Sequence, residues 1–159
     1  VVSVDGRGTG ARGEAFRKCT YLRMGDLESR DQVEAAQALG KLPYVDAKRI
    51  AIWGWSFGGY NTLMSMSVGN GTFKAGIAVA PPTDWKYYDS VYTERFMRTP
   101  KENFSGYAAT SPIRLAKDWA FSTCTNGVQT MRLNNAFRLC KLFVPTKPDL
   151  QPIRLSHMF

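Results

Sequence analysis

The 159-residue sequence predicts an α/β fold in which a mostly parallel sheet carries flanking helices. Two features support that prediction. Short apolar runs alternate with segments of helical periodicity, the pattern of a parallel sheet with helical crossovers on both faces. A Gly-x-Ser-x-Gly sequence then stands at the junction between the second apolar run and the helix that follows it.

Val1–Asp5 is β-branched and ends in glycines, so it reads as a buried strand feeding a loop. Ser29 and Gln32 have capping-box spacing, and Val33, Ala36 and Leu39, with Ala35 and Leu42, recur at helical intervals. A helix is expected there, stopped by Pro43. Arg49–Gly54 reads as a second buried strand, Gly59–Val68 as a helix bearing Leu63, Met64 and Met66, and Lys74–Ala80 as a third strand ended by Pro81 and Pro82. Three strands leave the sheet unfinished. A Val-Val-Ser-Val edge wants a neighbour, so more sheet is expected before residue 1.

From about Trp119 the texture changes. Thr, Asn and Gln become frequent and Pro145, Pro148 and Pro152 interrupt the end of the chain. Met131, Leu133, Phe137, Leu139 and Leu142 give only an imperfect helical pattern across Val128–Phe143, and no further βα unit is legible. The chain therefore divides into residues 1–117, with βα texture, and an atypical tail, 118–159. The tail is expected to be poorly ordered or to come from a shifted reading frame or a misjoined fragment, unless it is a natural divergence.

The totals exclude several classes. Hydrophobic residues make up 44% and charged residues 21%, which is ordinary for one globular domain and not for a disordered chain. No apolar stretch is long enough for a transmembrane span, and no charged-then-apolar leader opens the sequence. With a strand at its start, the sequence reads as a piece of something longer. The net charge of +8 comes from scattered basic residues with no run of like charge, so nucleic acid is not an expected partner. Cys19, Cys124 and Cys140 have neither CxxC spacing nor an even count, and predict neither a metal site nor a disulfide framework.

The chemistry concentrates at Gly54-Trp55-Ser56-Phe57-Gly58. Between a strand and a helix, this is the nucleophile elbow of an α/β-hydrolase fold, here a partial one. The turn must be sharp so that the Ser56 hydroxyl clears the backbone. Gly54 and Gly58, extended by Gly59, are expected to remove side chains where strand and helix cross. The Phe57 amide, at the helix N-terminus, would face a developing oxyanion. Gly8-Thr9-Gly10-Ala11-Arg12-Gly13 also fits the dinucleotide pattern G-x-G-x-x-G. That reading needs a helix opening at the loop and an acidic residue at a second strand end. Residues 13–21 are mixed and charged, and Asp26 and Glu28 precede a helix, so no cofactor is expected and the glycines are read as tight turns.

With these motifs in place, the chain resembles the catalytic domain of the prolyl oligopeptidase family, most closely its dipeptidyl-peptidase IV branch. The resemblance runs from Val1 to about Asp118. It rests on Asp5-Gly6-Arg7-Gly8-Thr9-Gly10, on Asp31-Gln32 at a helix start, on Val45-Asp46, on the run Lys48 to Ser56, and on the run Tyr87 to Arg95. It implies removal of N-terminal dipeptides after proline or alanine, with Ser56 as nucleophile and Phe57 as an oxyanion donor. Trp85, Tyr88 and Tyr92 would line the pocket for the residue before the scissile bond, and aromatic faces suit a flat proline ring. It further implies a peptide substrate and a longer parent that is extracytoplasmic and homodimeric, with a β-propeller upstream.

The triad that Ser56 needs is not legible. The family places an Asp, then a His, on the C-terminal side of the nucleophile, in a His-Gly-x-x-Asp stretch and beyond. The sequence holds one histidine, His157, and the later carboxylates are Asp118 and Asp149. The order Ser56, Asp149, His157 is formally correct, but the Asp–His spacing is far shorter than the family's. The isolated chain is therefore expected to have little or no peptidase activity. An esterase or acyl-peptide hydrolase on the same fold is the enzymatic alternative. A non-catalytic interaction module is the other.

Overall fold

This computed structural model describes residues 1–115 and the backbone of 123–125. The sheet has three parallel strands in the order β1 (Ala51–Trp55), β2 (Ala75–Val79) and β3 (Thr123–Thr125). Ala51 faces Ala75 and Trp55 faces Val79 in the first pair, and Ile77 faces Thr123 in the second. The helices are α1 (Glu14–Lys18), α2 (Asp26–Leu39), α3 (Phe57–Val68), α4 (Ser90–Met97), α5 (Phe104–Ala109) and α6 (Pro112–Leu115).

α3 organises the domain. It follows β1 without a linker and lies across β1 and β2 with α2 stacked behind it. Its middle turns, Gly59–Ser65, are mostly buried. Small residues set the close approaches. Ser29 of α2 is fully buried against α3, and the Ser65 hydroxyl reaches the Ser29 carbonyl. A Cβ on Gly76 of β2 would lie 3.0 Å from Met66 Cγ, so glycine there lets α3 sit down on the sheet. One cluster of buried side chains gathers Met24, Tyr60, Met64, Trp85, Met97 and Tyr107, and a second joins Val33, Ala36 and Phe73 with Ile50 and Ile52. Each such large side chain contributes roughly 1.5–3 kcal/mol through burial.

Several expectations are corrected. Val1–Asp5 forms no strand: a strand is completed by its partner, and none of the described residues pairs with it. β1 is not buried on both faces. Its residues alternate, with Trp53 and Trp55 66% and 67% exposed, because among the described residues helices cover one face of the sheet. α2 starts at Asp26, before the Ser29–Gln32 box. Gly25 precedes it at φ 102°, and the Glu28 carboxylate accepts the Gly25 amide at 2.8 Å, while the Ser29 hydroxyl donates to Asp26 O. Asp31 and Gln32 therefore sit inside α2 rather than at its start. The helix ends at Leu39, before Pro43 is reached. Where no strand was legible, Thr123–Thr125 pairs with β2; three β-propensive residues without an apolar run give too little pattern to read. The Val128–Phe143 pattern lies outside the described residues.

Glu28 gives a pH signature. It is 8% exposed, and burial pushes its pKa up to about 7. The folded state therefore holds a proton that the unfolded chain has released, so this group lowers stability as pH rises from about 4.5 to about 7. Glu28→Gln keeps an acceptor for the Gly25 amide and removes the charge. Its unfolding free energy, read from urea titration, is expected to exceed the parent's at pH 8 by on the order of 1–3 kcal/mol and to match it at pH 4.5.

Candidate active site

The elbow is built by β1 running into α3. Ser56 sits between them at φ 55°, ψ −115°, a conformation strained for a residue with a side chain. Both of its backbone groups are fixed: its amide donates to Val79 O at 2.9 Å and its carbonyl accepts from Tyr60 N at 2.9 Å. The side chain makes no hydrogen bond to the helix it precedes, and the residue is exposed. The chain thus holds the backbone of Ser56 rigidly and leaves its hydroxyl to solvent.

The glycines divide the work unequally. A Cβ on Gly54 would lie 2.8 Å from Gly58 Cα, with the Gly58 carbonyl group closer still. A Cβ on Gly59 would lie 2.8 Å from Val79 O. On Gly58 it would meet nothing within 4 Å, so the expectation that Gly58 also clears a side-chain collision is corrected. Gly58 contributes through its backbone, which is what Gly54 approaches.

Phe57 opens α3, where the first-turn amides have no partner within the helix and carry the positive end of its dipole. Its ring stacks on Trp85 at 6.0 Å and 29°. Trp85 in turn meets Tyr92 at 5.9 Å and Tyr88 at 5.6 Å, and Tyr88 meets Tyr92 at 5.3 Å. The nucleophile's neighbour and the three aromatic residues singled out by the resemblance therefore form one continuous aromatic surface. Their exposures differ: Trp85 is 2% exposed and belongs to the core, whereas Tyr88 is 37% exposed and Tyr92 is half-buried. Burial raises the Tyr92 phenol pKa, with Tyr88 adding to the shift.

Two supports were not read from the sequence. The Tyr60 hydroxyl lies 2.7 Å from Met24 O and 2.8 Å from Thr110 O, donating its one proton to either, and its ring packs edge-on to Trp85 at 4.7 Å. Burial pushes that phenol far above its ordinary pKa, so it stays protonated. Asp84, 3% exposed, accepts the Lys86 amide at 3.1 Å and the Ser111 hydroxyl at 2.9 Å. It thereby caps the 3-10 turn Trp85–Tyr87 and ties it to the start of α6. An Asp directly before an aromatic turn was the available signal.

The glycine-rich loop does open a helix, α1, contrary to expectation, although only five residues long. Asp26 and Glu28 lie within α2 rather than at a strand end. The Arg7 guanidinium and amide both bond the Asp31 carboxylate, at 2.9 Å and 2.6 Å, pinning the loop to α2 and holding that carboxyl below its usual pKa. Among the described residues no group of three or more His, Cys, Asp or Glu could hold a metal ion, and no helix is long and apolar enough to cross a membrane. Asp118, Asp149 and His157 lie outside the described residues.

The chain is similar to known proteins. Residues 1–129 match the model of the prolyl oligopeptidase family. Dipeptidyl aminopeptidase B of Saccharomyces cerevisiae is 54% identical over 112 residues, which is 70% of this chain and 14% of that protein. The crystal structure of Porphyromonas gingivalis dipeptidyl peptidase 4 superposes with a TM-score of 0.83 at 59% identity, over 87% of this chain and 20% of that one. The chain thus spans a small part of the length of its relatives, and that part has the α/β-hydrolase fold. On the matched family model, the shared fold and the elbow at Ser56, this chain belongs to the prolyl oligopeptidase family of peptidases.

Proposed function

We propose that this chain is the nucleophile-bearing part of a serine peptidase that removes N-terminal dipeptides after proline or alanine. The observation that carries the reading is the continuity from Ser56 through the Phe57 ring to Trp85, Tyr88 and Tyr92. In this reading Ser56 attacks the scissile carbonyl, and the Phe57 amide at the head of α3 stabilises the oxyanion. Tyr88 and Tyr92 hold the proline ring from the accessible side over Trp85. Loss of one oxyanion donor costs about 100- to 1000-fold in comparable enzymes. The scissile C–N bond breaks as the shortened peptide leaves as a free amine that takes up the serine's proton. Water then releases the dipeptide acid from the acyl-enzyme and restores the Ser56 hydroxyl.

The isolated 159-residue chain is proposed to be nearly inactive. A serine hydroxyl is a weak nucleophile until a base takes its proton, and losing that base costs about a million-fold in a comparable peptidase. The longer parent is proposed to act on peptides as an extracytoplasmic homodimer with a β-propeller upstream, a reading supported by the resemblance alone.

The test compares Ala-Pro-p-nitroanilide with a p-nitrophenyl ester. Both are assayed on this chain carried in the full product of its gene, with Ser56→Ala as control. Cleavage of the dipeptidyl amide that vanishes in Ser56→Ala is the expected result. Cleavage of the ester alone would replace the reading with an esterase or acyl-peptide hydrolase. Turnover of neither would point to a non-catalytic interaction module.

A further inference from the structure

One buried carboxyl has no part in the chemistry of the elbow. Glu28, in the first turn of α2, accepts the Gly25 amide at 2.8 Å. The glycine-rich loop closes over it: a Cβ on Gly8 would lie 3.1 Å from Thr20 Cγ2 and 3.6 Å from Glu28 Cγ. Among the described residues Glu28 makes no ion pair. Asp26, on the same helix, repels its charge and is bonded to Arg23 and Arg30, while Arg7 from the glycine-rich loop is bonded to Asp31. Tyr60 on α3 and Tyr92 on α4, whose phenols burial already holds protonated, also feel the charge of Glu28.

The segment Thr20–Gly25 that Glu28 anchors reaches both halves of the aromatic surface. The Leu22 amide donates to Phe96 O at 2.8 Å, and the Met24 amide lies 3.3 Å from Met97 Sδ. The Asn103 side-chain amide bridges Leu22 O and Met97 O, at 2.8 Å and 2.9 Å. These bonds seat the end of α4, where Phe96 packs against Tyr92 at 5.2 Å. Met24 O faces the Tyr60 hydroxyl, and the Tyr60 ring packs edge-on to Trp85. One segment thus supports both Tyr92 and Trp85, and the bond from Glu28 to Gly25 ties its end to α2.

We propose that Glu28 is a positioning residue for this surface, its neutral carboxyl holding the Thr20–Gly25 segment down and its ionised form releasing it. A neutral carboxyl sits in a dry site at modest cost and still accepts the Gly25 amide. An ionised one without a cation is drawn to water. Reaching water means leaving Gly25, and the segment then loosens its hold on α4 and Tyr60. Burial places that change near pH 7. The looser surface binds a proline ring less well, so KM rises with pH. The Ser56 backbone, fixed to Val79 and Tyr60 by its own bonds, keeps kcat. The effect on KM rests on the peptidase reading above, and the movement of the segment does not.

Two readouts keep these apart. In the 159-residue chain, isotope-labelled methionine methyls and tyrosine rings are followed by NMR through the neutral pH range. Met24, Met97 and Tyr92 are expected to shift with one common midpoint near 7 in the parent and to stay still in Glu28→Gln. In the full product of its gene, KM for Ala-Pro-p-nitroanilide should match between parent and Glu28→Gln at about pH 5.5. At about pH 8.5 the parent's KM should be about fivefold higher, with the kcat ratio unchanged. The substrate amine and every other titrating group are common to both proteins and cancel in the ratio. A purely structural role would give a KM ratio independent of pH, which would overturn the proposal. A midpoint near 4.5, or resonances that move alike in Glu28→Gln, would overturn it as well. Should Glu28→Gln fail to fold, the parent's midpoint still decides. Turnover in neither protein would count against the peptidase reading, and the resonances alone would then decide this proposal.

Discussion

Gly54→Ala is expected to destabilise the chain by about 3 kcal/mol or more, at the upper end of overpacking effects. The reason is the identity of the obstacle. The new Cβ would meet Gly58 backbone, with Cα at 2.8 Å and the carbonyl group nearer, and backbone cannot rotate away as a side chain can. β1 and α3 would have to separate at their crossing, which would also release the strained turn that fixes Ser56. Gly58→Ala is the internal control. Its Cβ meets nothing within 4 Å, and alanine favours the helix, so its unfolding free energy should stay within about 1 kcal/mol of the parent's. Equal losses in the two variants would show that the elbow crossing is looser than described.

Gly25→Ala is expected to cost about 3 kcal/mol by two separable routes. Gly25 sits at φ 102°, where a side chain costs roughly 1–2 kcal/mol. Its Cβ would also lie 2.5 Å from Tyr60 Cε1, with the hydroxyl nearer still, and Tyr60 is fully buried with its hydroxyl between two carbonyls. Overpacking of that kind adds about 1–3 kcal/mol. Gly13 provides the comparison, at φ 89° with nothing within 4 Å of its Cβ. Gly13→Ala should show a backbone cost without a clash, and a larger backbone cost than at Gly25, because its ψ of 168° lies in a region that essentially only glycine occupies.

The parts of the fold legible in the sequence were those whose signal is local. The runs behind β1 and β2 and the turn at Ser56 could be read because apolar strands and a Gly-x-Ser-x-Gly junction lie within a few residues of each other. What failed depended on partners elsewhere. Val1–Asp5 has strand composition but no described partner, so it lines a groove instead. Trp53 falls in the run read as a buried strand, yet it lies with Trp55 on the sheet face that the described helices leave open. The start of α2 moved because Glu28 caps Gly25 through its side chain, a bond between a residue without a side chain and one expected to precede the helix. Spacing singled out Ser56 and Phe57, and the resemblance singled out Trp85, Tyr88 and Tyr92, whose rings the structure brings together. Neither gave their different depths. The burial of Trp85 goes with Tyr60, which packs edge-on against it, and with Asp84, whose place directly before the turn was the one local signal.

Ser56 is held ready by its backbone, and the proposal to be tested is that these 159 residues do not supply its base. Stoichiometric labelling of Ser56 by a fluorophosphonate, mapped by mass spectrometry, tests it most directly. The isolated chain should remain essentially unlabelled, and the same serine carried in the full product of its gene should label to completion. Equal labelling in the two preparations would contradict the account. Full labelling of both would mean that the isolated chain contains its own base, and none in either that Ser56 is not a working nucleophile.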